Sequence, residues 1–235
     1  MTTVGDRQDG DSPERLRADA VRNRERIVQV AREVFAEVGL DAPLEEIARR
    51  AGVGIATLYR RFPTRDELVA ASLAPRMAEY AAAIDEALLV PDPWVGLTEF
   101  VERVCGMQAA DRSLTDVLAM TFPTARALEE QRSEAYHGFV ELIRRAQDQG
   151  ALRADFVPED LVLLLMANAG VVRATRDAAP DAWRRFVGLM LEGFRADGAR
   201  PLPPPPAPAQ LFRAMLRLGR ARASLQGDAD LDRQE

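Results

Sequence analysis

Near the N-terminus, apolar residues recur every three or four positions, which is the spacing of one buried helix face. The set comprises Ile27, Val30, Ala31, Val34, Phe35 and Val38. Gly39 follows them, at the place where a glycine commonly ends a helix. The pattern predicts an amphipathic helix of about four turns.

Two shorter amphipathic segments come next. Pro43 stands early in a second helix, and the inner face of that helix holds Leu44, Ile47, Ala48 and Ala51. The chain turns at Gly52-Val53-Gly54, and residues 56–62 fit a third, very short helix. Pro63 and the capping residue Thr64 then open a longer fourth helix that runs towards Leu88.

The remainder of the chain also shows helical patterning, with proline or glycine near most boundaries. The predicted helices cover residues 93–109, 113–121, 125–149, 158–177 and 180–196. No run of alternating β-branched residues indicates a strand. Residues 200–208, RPLPPPPAP, predict an extended spacer of the polyproline type, and residues 209–223 fit a short amphipathic helix. We therefore predict an all-α fold.

Composition narrows the class of protein. The 235 residues are 47% hydrophobic and 29% charged, as in ordinary globular proteins. Cys105 is the single cysteine, so no internal disulfide forms. The N-terminus lacks the apolar stretch of a secretory signal, and the longest mostly apolar run, 161–172, is too short to span a bilayer. These features predict a cytoplasmic protein with no membrane partner.

Charge is distributed unevenly along the chain. The formal net charge is −6, and every basic residue is an arginine. Between Arg15 and Arg65 there are eleven arginines and seven acids, a balance of +4, so the rest of the chain carries −10. A basic segment on an acidic body is typical of a nucleic-acid-binding domain.

The short third helix combines these signals. It follows a glycine turn and carries Thr57, Tyr59, Arg60 and Arg61, side chains that suit phosphates and base edges. Leu58 and Phe62 would hold it against the first two helices. This layout favours a helix-turn-helix. The alternative from the pattern alone is a helical hairpin with a solvated charged face.

The N-terminal segment resembles the DNA-binding domain of the tetracycline-repressor (TetR) family of bacterial regulators. The resemblance covers about residues 22–72 and is carried by IVQVAREVFAEVGL and PLEEIARRAGVGIATLYRRFPTRDELV. It is closest to the actinobacterial branches of the family. It implies an N-terminal helix-turn-helix domain and a larger helical domain for ligand binding and dimerisation.

On this basis the chain is divided into four segments. Residues 1–18 are expected to form a disordered arm and 19–66 the DNA-binding domain. Residues 67–198 would form the ligand-binding and dimerisation domain, and 199–235 a proline-rich linker with a C-terminal helix and tail.

The resemblance also implies which residues contact DNA. Thr57 matches a threonine of the recognition helix, Tyr59 a phosphate-binding tyrosine, and Arg61 and Arg65 backbone-contacting positions. Gly54, Ile55 and Ala56 stand nearest the base edges, where Ile55 offers contact to a thymine methyl group. Arg60 would face partly away. Arg22 and Asn23 match the part that follows the adjacent backbone.

For the body, the resemblance implies a homodimer and a small-molecule effector. The expected interface lies on the last two long helices and includes Leu165, Val172, Trp183, Val187, Met190 and Phe194. The expected pocket for a hydrophobic or aromatic ligand includes Trp94, Phe100, Met107, Met120, Phe122, His137, Met166 and Asn168. Without the resemblance, these residues would be interpreted as ordinary core, except His137, which would be a surface or hydrogen-bonded histidine.

Catalytic signals are weak in this sequence. One histidine and one cysteine cannot form a metal cluster, and neither a phosphate-binding glycine loop nor a nucleophile elbow is present. We therefore expect no enzyme activity, no metal and no cofactor. The alternatives are a helical carrier or enzyme for a hydrophobic small molecule, and an adaptor that acts through its proline-rich tail.

Overall fold

The computed structural model describes residues 13–111, 126–211 and 213–215, with side chains described from residue 19 onwards except at 126–129, 131 and 132. Within this part the prediction of an all-α fold is confirmed. The helices are α1 (Pro13–Val38), α2 (Leu44–Arg50), α3 (Ile55–Arg61), α4 (Arg65–Leu89), α5 (Pro93–Ala110), α6 (Arg126–Asp148), α7 (Pro158–Thr175) and α8 (Ala182–Phe194).

The first three helices pack around one small apolar centre. Ile27, Phe35, Ile47 and Leu58 are fully buried there, and Phe62 is nearly so. Gly39 ends α1 with φ 106°, a left-handed conformation that glycine adopts without steric cost. Helix α1 packs against α2, and α2 in turn packs against α3.

Helix α4 joins this N-terminal domain to the body. The Thr64 hydroxyl caps its first turn by accepting a hydrogen bond from Glu67 N at 3.2 Å. Further along, Tyr80 packs on Phe100 of α5 with ring centroids 5.8 Å apart. An added Cβ on Gly138 of α6 would lie 2.5 Å from Ile84 Cγ2, so α4 and α6 approach closely.

The C-terminal part of the body is fastened by a buried arginine. Arg153, 7% exposed, pairs with Asp155 and donates to the carbonyls of Gly193 and Arg200. Its guanidinium lowers the pKa of the Asp155 carboxyl. The start of the proline-rich segment is therefore tied to the end of α8.

The helix boundaries differ from the predictions mainly near the N-terminus of the chain. Helix α1 begins at Pro13, inside the segment predicted as a disordered arm, because alanine and arginine favour a helix even without an apolar face. Residues 208–211 and 213–215 are helical, as predicted for 209–223. The predicted helix at 113–121 lies outside the described residues.

Candidate nucleic-acid interface

Helix α3 presents nearly all of its side chains to solvent. Leu58 is its only buried residue, whereas Ile55 is 37% and Tyr59 47% exposed. Arg60, Ala56 and the preceding Gly54 are also exposed. An exposed isoleucine and tyrosine on one short helix form a surface suited to a partner.

The turn before α3 is fixed by backbone contacts. Val53 N donates to the Ala48 carbonyl at 3.0 Å, and Gly52 adopts φ 64°. At the other end of α3, the Arg24 guanidinium of α1 lies 4.9 Å from the Phe62 ring centroid. Both ends of the seven-residue helix are therefore held by the rest of the domain.

The arginines of α2 are engaged within the protein. Glu46 accepts hydrogen bonds from Arg49 and Arg50, and Arg50 also pairs with Glu37 of α1. The hydrogen bonds from Arg49 and Arg50 lower the pKa of Glu46 to about 2. This network leaves the basic groups of α3 and its flanks as the candidates for an external anion.

Arg61 and Arg65 have different environments. Arg65 Nη1 donates to the carbonyls of Leu40 and Ala42, both at 2.8 Å, so it ties α4 to the turn between α1 and α2. Arg61 is half-buried, and its buried Nε has no hydrogen-bond partner in the protein. Because that Nε is buried, any phosphate contact of Arg61 would come from the Nη atoms of its guanidinium, whereas Arg65 has a structural role in addition to any contact with DNA.

The remaining predicted contacts lie on α1 and α3. Arg22 is exposed and pairs with Asp19, and Asn23 Oδ1 accepts from Arg26 at 2.7 Å. Thr57 is half-buried on α3. The structure groups Gly54, Ile55, Ala56, Thr57, Tyr59, Arg60 and Arg61 on one element. Contact of any of these residues with DNA stays a prediction.

Comparison with known proteins identifies the family. The family model for bacterial regulatory proteins of the tetR family matches residues 27–72, and the model for the C-terminal domain of SbtR-like transcriptional regulators matches residues 92–196. A TetR transcriptional regulator from Streptomyces coelicolor is 30% identical, over 73% of this chain and 98% of that one, with a TM-score of 0.47. The chain belongs to the TetR family.

Two further relatives support different statements: one shares sequence over a short segment, and the other shares the fold. An HTH-type transcriptional regulator of Staphylococcus aureus (strain bovine RF122 / ET3-1) is 39% identical over 54 residues, which are 23% of this chain and 29% of that protein. A TetR-family regulator from Agrobacterium tumefaciens is 17% identical over 75% of this chain and 100% of that one, with a TM-score of 0.56. The match thus spans less than a third of the Staphylococcus aureus protein. The family models and relatives together place the chain among DNA-binding regulators rather than enzymes.

The predicted pocket residues of this TetR-family chain lie in several different environments, and the pocket itself stays a prediction. Phe100 lies between Tyr80 and Phe139, and Trp94 is covered by the Arg195 guanidinium. Asn168 is fully buried, Met107 and Met166 are half-buried, and His137 is exposed on α6 with its ring bonded to the Ser133 carbonyl. Met120 and Phe122 lie outside the described residues.

Most of the predicted interface residues pack inside the protomer. Leu165, Val172, Trp183 and Val187 are buried, while Met190 and Phe194 are half-buried and Phe194 packs edge-on against Phe156. Their neighbours Leu163 and Leu189 are exposed. Sequence reasoning did not single out these two leucines because α7 is apolar on several faces, so periodicity alone does not separate the inner from the outer side.

Chemistry that would suggest another function is not prominent. In residues 13–111 and 126–215, leaving out 212, no group of three metal-ligating side chains comes together, and no helix there is long and apolar enough to cross a membrane. Burial raises the pKa of the Cys105 thiol to about 12, so the reactive thiolate is disfavoured.

The different environments of Arg61 and Arg65 lead to different expected effects of mutation. Arg61→Gln should flatten the salt dependence of DNA binding by roughly one unit of log–log slope per half-site and leave stability unchanged. Arg65→Gln should lower the free energy of unfolding by about 1–3 kcal/mol, because two carbonyls lose a charged donor.

Urea unfolding and DNA titrations between low and moderate salt would measure both effects. An unchanged salt slope in Arg61→Gln would remove Arg61 from the interface. Wild-type stability in Arg65→Gln would show that its two hydrogen bonds contribute nothing.

Proposed function

We propose that this protein is a homodimeric transcriptional regulator, a repressor, that binds a palindromic DNA operator and is released by a small hydrophobic or aromatic ligand. The observation that carries the proposal is the exposed face of α3, with its adjacent arginines Arg60 and Arg61, on a domain that matches the family's DNA-binding model. Because its target is chromosomal DNA of a bacterium, the proposed location is the cytoplasm.

In this proposal α3 lies in the major groove. Thr57, Tyr59 and Arg61 bind the phosphate backbone, and Gly54, Ile55 and Ala56 approach the bases. The small side chains at 54 and 56 permit the close approach, and Ile55 packs on a thymine methyl group. Arg22, Asn23 and Arg65 contact the flanking backbone, and Arg60 adds positive charge nearby.

A single recognition helix reads too few bases to be selective. Two helices must therefore be set ~34–36 Å apart to read the halves of a palindrome. An apolar stripe on the outer side of α7 supports a dimer: it consists of Leu163, Ala167, Gly170 and Ala174, spaced by four, three and four residues. A Cβ added to Gly170 meets no atom within 4 Å, so a second helix has room to approach.

The proposed interface still lies on the last two long helices, as predicted, but its contacting residues differ from the predicted ones. Leu189, 58% exposed, lies on α8, and Leu163 is 41% exposed on α7. Because Leu165, Val172, Trp183 and Val187 already pack within one protomer, we assign them to the support of the interface rather than to its contacts.

Leu163→Glu should separate the dimer, because each interface would then bury a carboxylate without a partner. The expected loss is about a hundredfold or more in the dimerisation constant, measured by sedimentation velocity, with a parallel loss of operator binding. Leu89→Glu is the matched control, because Leu89 is 82% exposed on α4, outside the stripe. If Leu163→Glu remains as dimeric as Leu89→Glu, the stripe is not the interface.

Regulation requires a connection between the body and the DNA-binding domain, and α4 provides it. Pro75 lies in the interior of this helix, where it removes one backbone hydrogen bond and weakens the helix locally. The next residue, Arg76, donates from Nε to Asp111 Oδ2 at 3.3 Å, and Asp111 is 4% exposed at the end of α5. We propose that α4 bends at Pro75 and that this ion pair holds it in the operator-binding position.

Arg76→Gln should therefore weaken operator binding by about fivefold to thirtyfold, the equivalent of ~1–2 kcal/mol, without changing dimerisation. Arg144→Gln is the control, since Arg144 pairs with Glu141 and Asp148 on the exposed surface of α6. Fluorescence anisotropy with labelled operator would measure both variants. Equal operator affinity in the two variants would contradict a holding role for Arg76.

The alternative function is a helical carrier or enzyme for a hydrophobic small molecule. It predicts tight ligand binding without salt-sensitive binding to DNA. An adaptor acting through the tail predicts loss of function when residues 200–235 are deleted, whereas the regulator should keep its affinity for DNA.

A further inference from the structure

Two side-chain amides meet where α5 packs on α7. Asn168 and Gln108 are both 0% exposed. Asn168 Nδ2 donates to Gln108 Oε1 at 2.9 Å and to the Cys105 carbonyl at 3.3 Å, and Gln108 Nε2 donates to the Leu165 carbonyl at 3.4 Å. Both N–H groups of the Asn168 amide are thus used inside the protein.

The other end of the same amide is not satisfied. Asn168 Oδ1 is buried and has no hydrogen-bond partner. A flipped amide would be worse, because Oδ1 would then face two acceptors, the Cys105 carbonyl and Gln108 Oε1. Native proteins rarely leave a buried acceptor unpaired. A donor supplied from outside the chain would therefore be strongly favoured at this atom.

The surroundings restrict what the donor can be. The residues one turn away along the two helices are buried and apolar: Val104 precedes Gln108, and Leu164 and Val172 flank Asn168. The charged Asp111 lies one turn beyond Gln108 and is already paired with Arg76. A charged ligand would lose its hydration without gaining a counter-charge. A water molecule needs at least two polar partners, and among the described side chains this site offers one open acceptor.

We propose that Asn168, supported by Gln108, is the polar anchor of the effector site, and that the effector is an uncharged, mainly apolar molecule that donates one hydrogen bond from a hydroxyl or N–H group to Asn168 Oδ1. This inference rests on the proposed function, because it requires an effector. It names the chemical class that the site accepts and excludes acids, phosphates and cations.

The position of the anchor also links binding to release. Because Asn168 is enclosed, an entering molecule displaces its neighbours and shifts α5 against α7. Gln108 and Asp111 lie one turn apart on the last part of α5, so the shift reaches the Arg76 contact beside Pro75. Binding of the effector at Asn168 would therefore weaken the Arg76–Asp111 contact that holds α4.

The test uses neutral probes in matched pairs that differ only in the donor: phenol and toluene, indole and 1-methylindole, cyclohexanol and methylcyclohexane. Binding to the full-length protein is measured by calorimetry, and operator release is followed in parallel. For at least one pair, the donor should bind about five to a hundred times more tightly than its methylated partner. Asn168→Leu should abolish this preference while it keeps the affinity for the methylated partner.

Two further variants make the test decisive. Asn168→Ser, which keeps an acceptor oxygen, should retain a preference for the donor. Gln29→Leu, which removes an exposed amide of α1 that bonds to Glu33 of the same helix, should bind the probes as wild type does. Equal binding within every pair, no binding of any probe, or a preference that survives in Asn168→Leu would overturn the anchor. Operator binding is measured in the same samples without probe. If the protein binds operator but no probe preference is seen, the anchor fails and the proposed function stands; if it binds no operator, the proposed function fails.

Discussion

Leu58 is the one buried side chain of α3, and its burial together with Phe62 holds the recognition helix in place. A helix of seven residues is far too short to persist in water by itself. Its conformation is therefore maintained by the burial of these two residues in the same apolar core as Ile47 and Phe35. Because this packing occupies only one face, the remaining side chains of α3 are presented to solvent in a fixed arrangement, which is what a surface that reads DNA requires.

The DNA-binding domain must also be held in a fixed position relative to the helical body, and α4 connects the two. Arg65 fastens the start of α4 to the α1–α2 turn, and Tyr80 packs the later part of α4 on the body. Between them lies Pro75, which removes one backbone hydrogen bond from the helix. In the proposed dimer, α4 would therefore connect each recognition helix to the body through one point of bending, so that small movements in the body could change the separation of the two α3 helices.

The sequence predicted the local features well and the long-range ones poorly. Periodicity and turn residues located the end of α1 and the bounds of α2 to α5 to within a few residues, because helices depend on contacts three and four positions apart. They missed the start of α1, where no apolar face marks the helix. The contacts of Arg65 with Leu40 and of Arg76 with Asp111 join residues far apart in the chain, and no local pattern encodes them. The outer side of α7 was also hidden, since Leu161, Leu163, Leu164 and Leu165 look alike until packing separates them.

The central claim is that the exposed face of α3 binds DNA selectively as part of a dimer. The most direct test is a titration of the purified protein against the DNA upstream of its own gene, at several salt concentrations and with excess unrelated duplex. The account predicts binding that resists the competitor, falls steeply with salt and involves two protomers per site. No binding at low salt, even to random duplex, would contradict it.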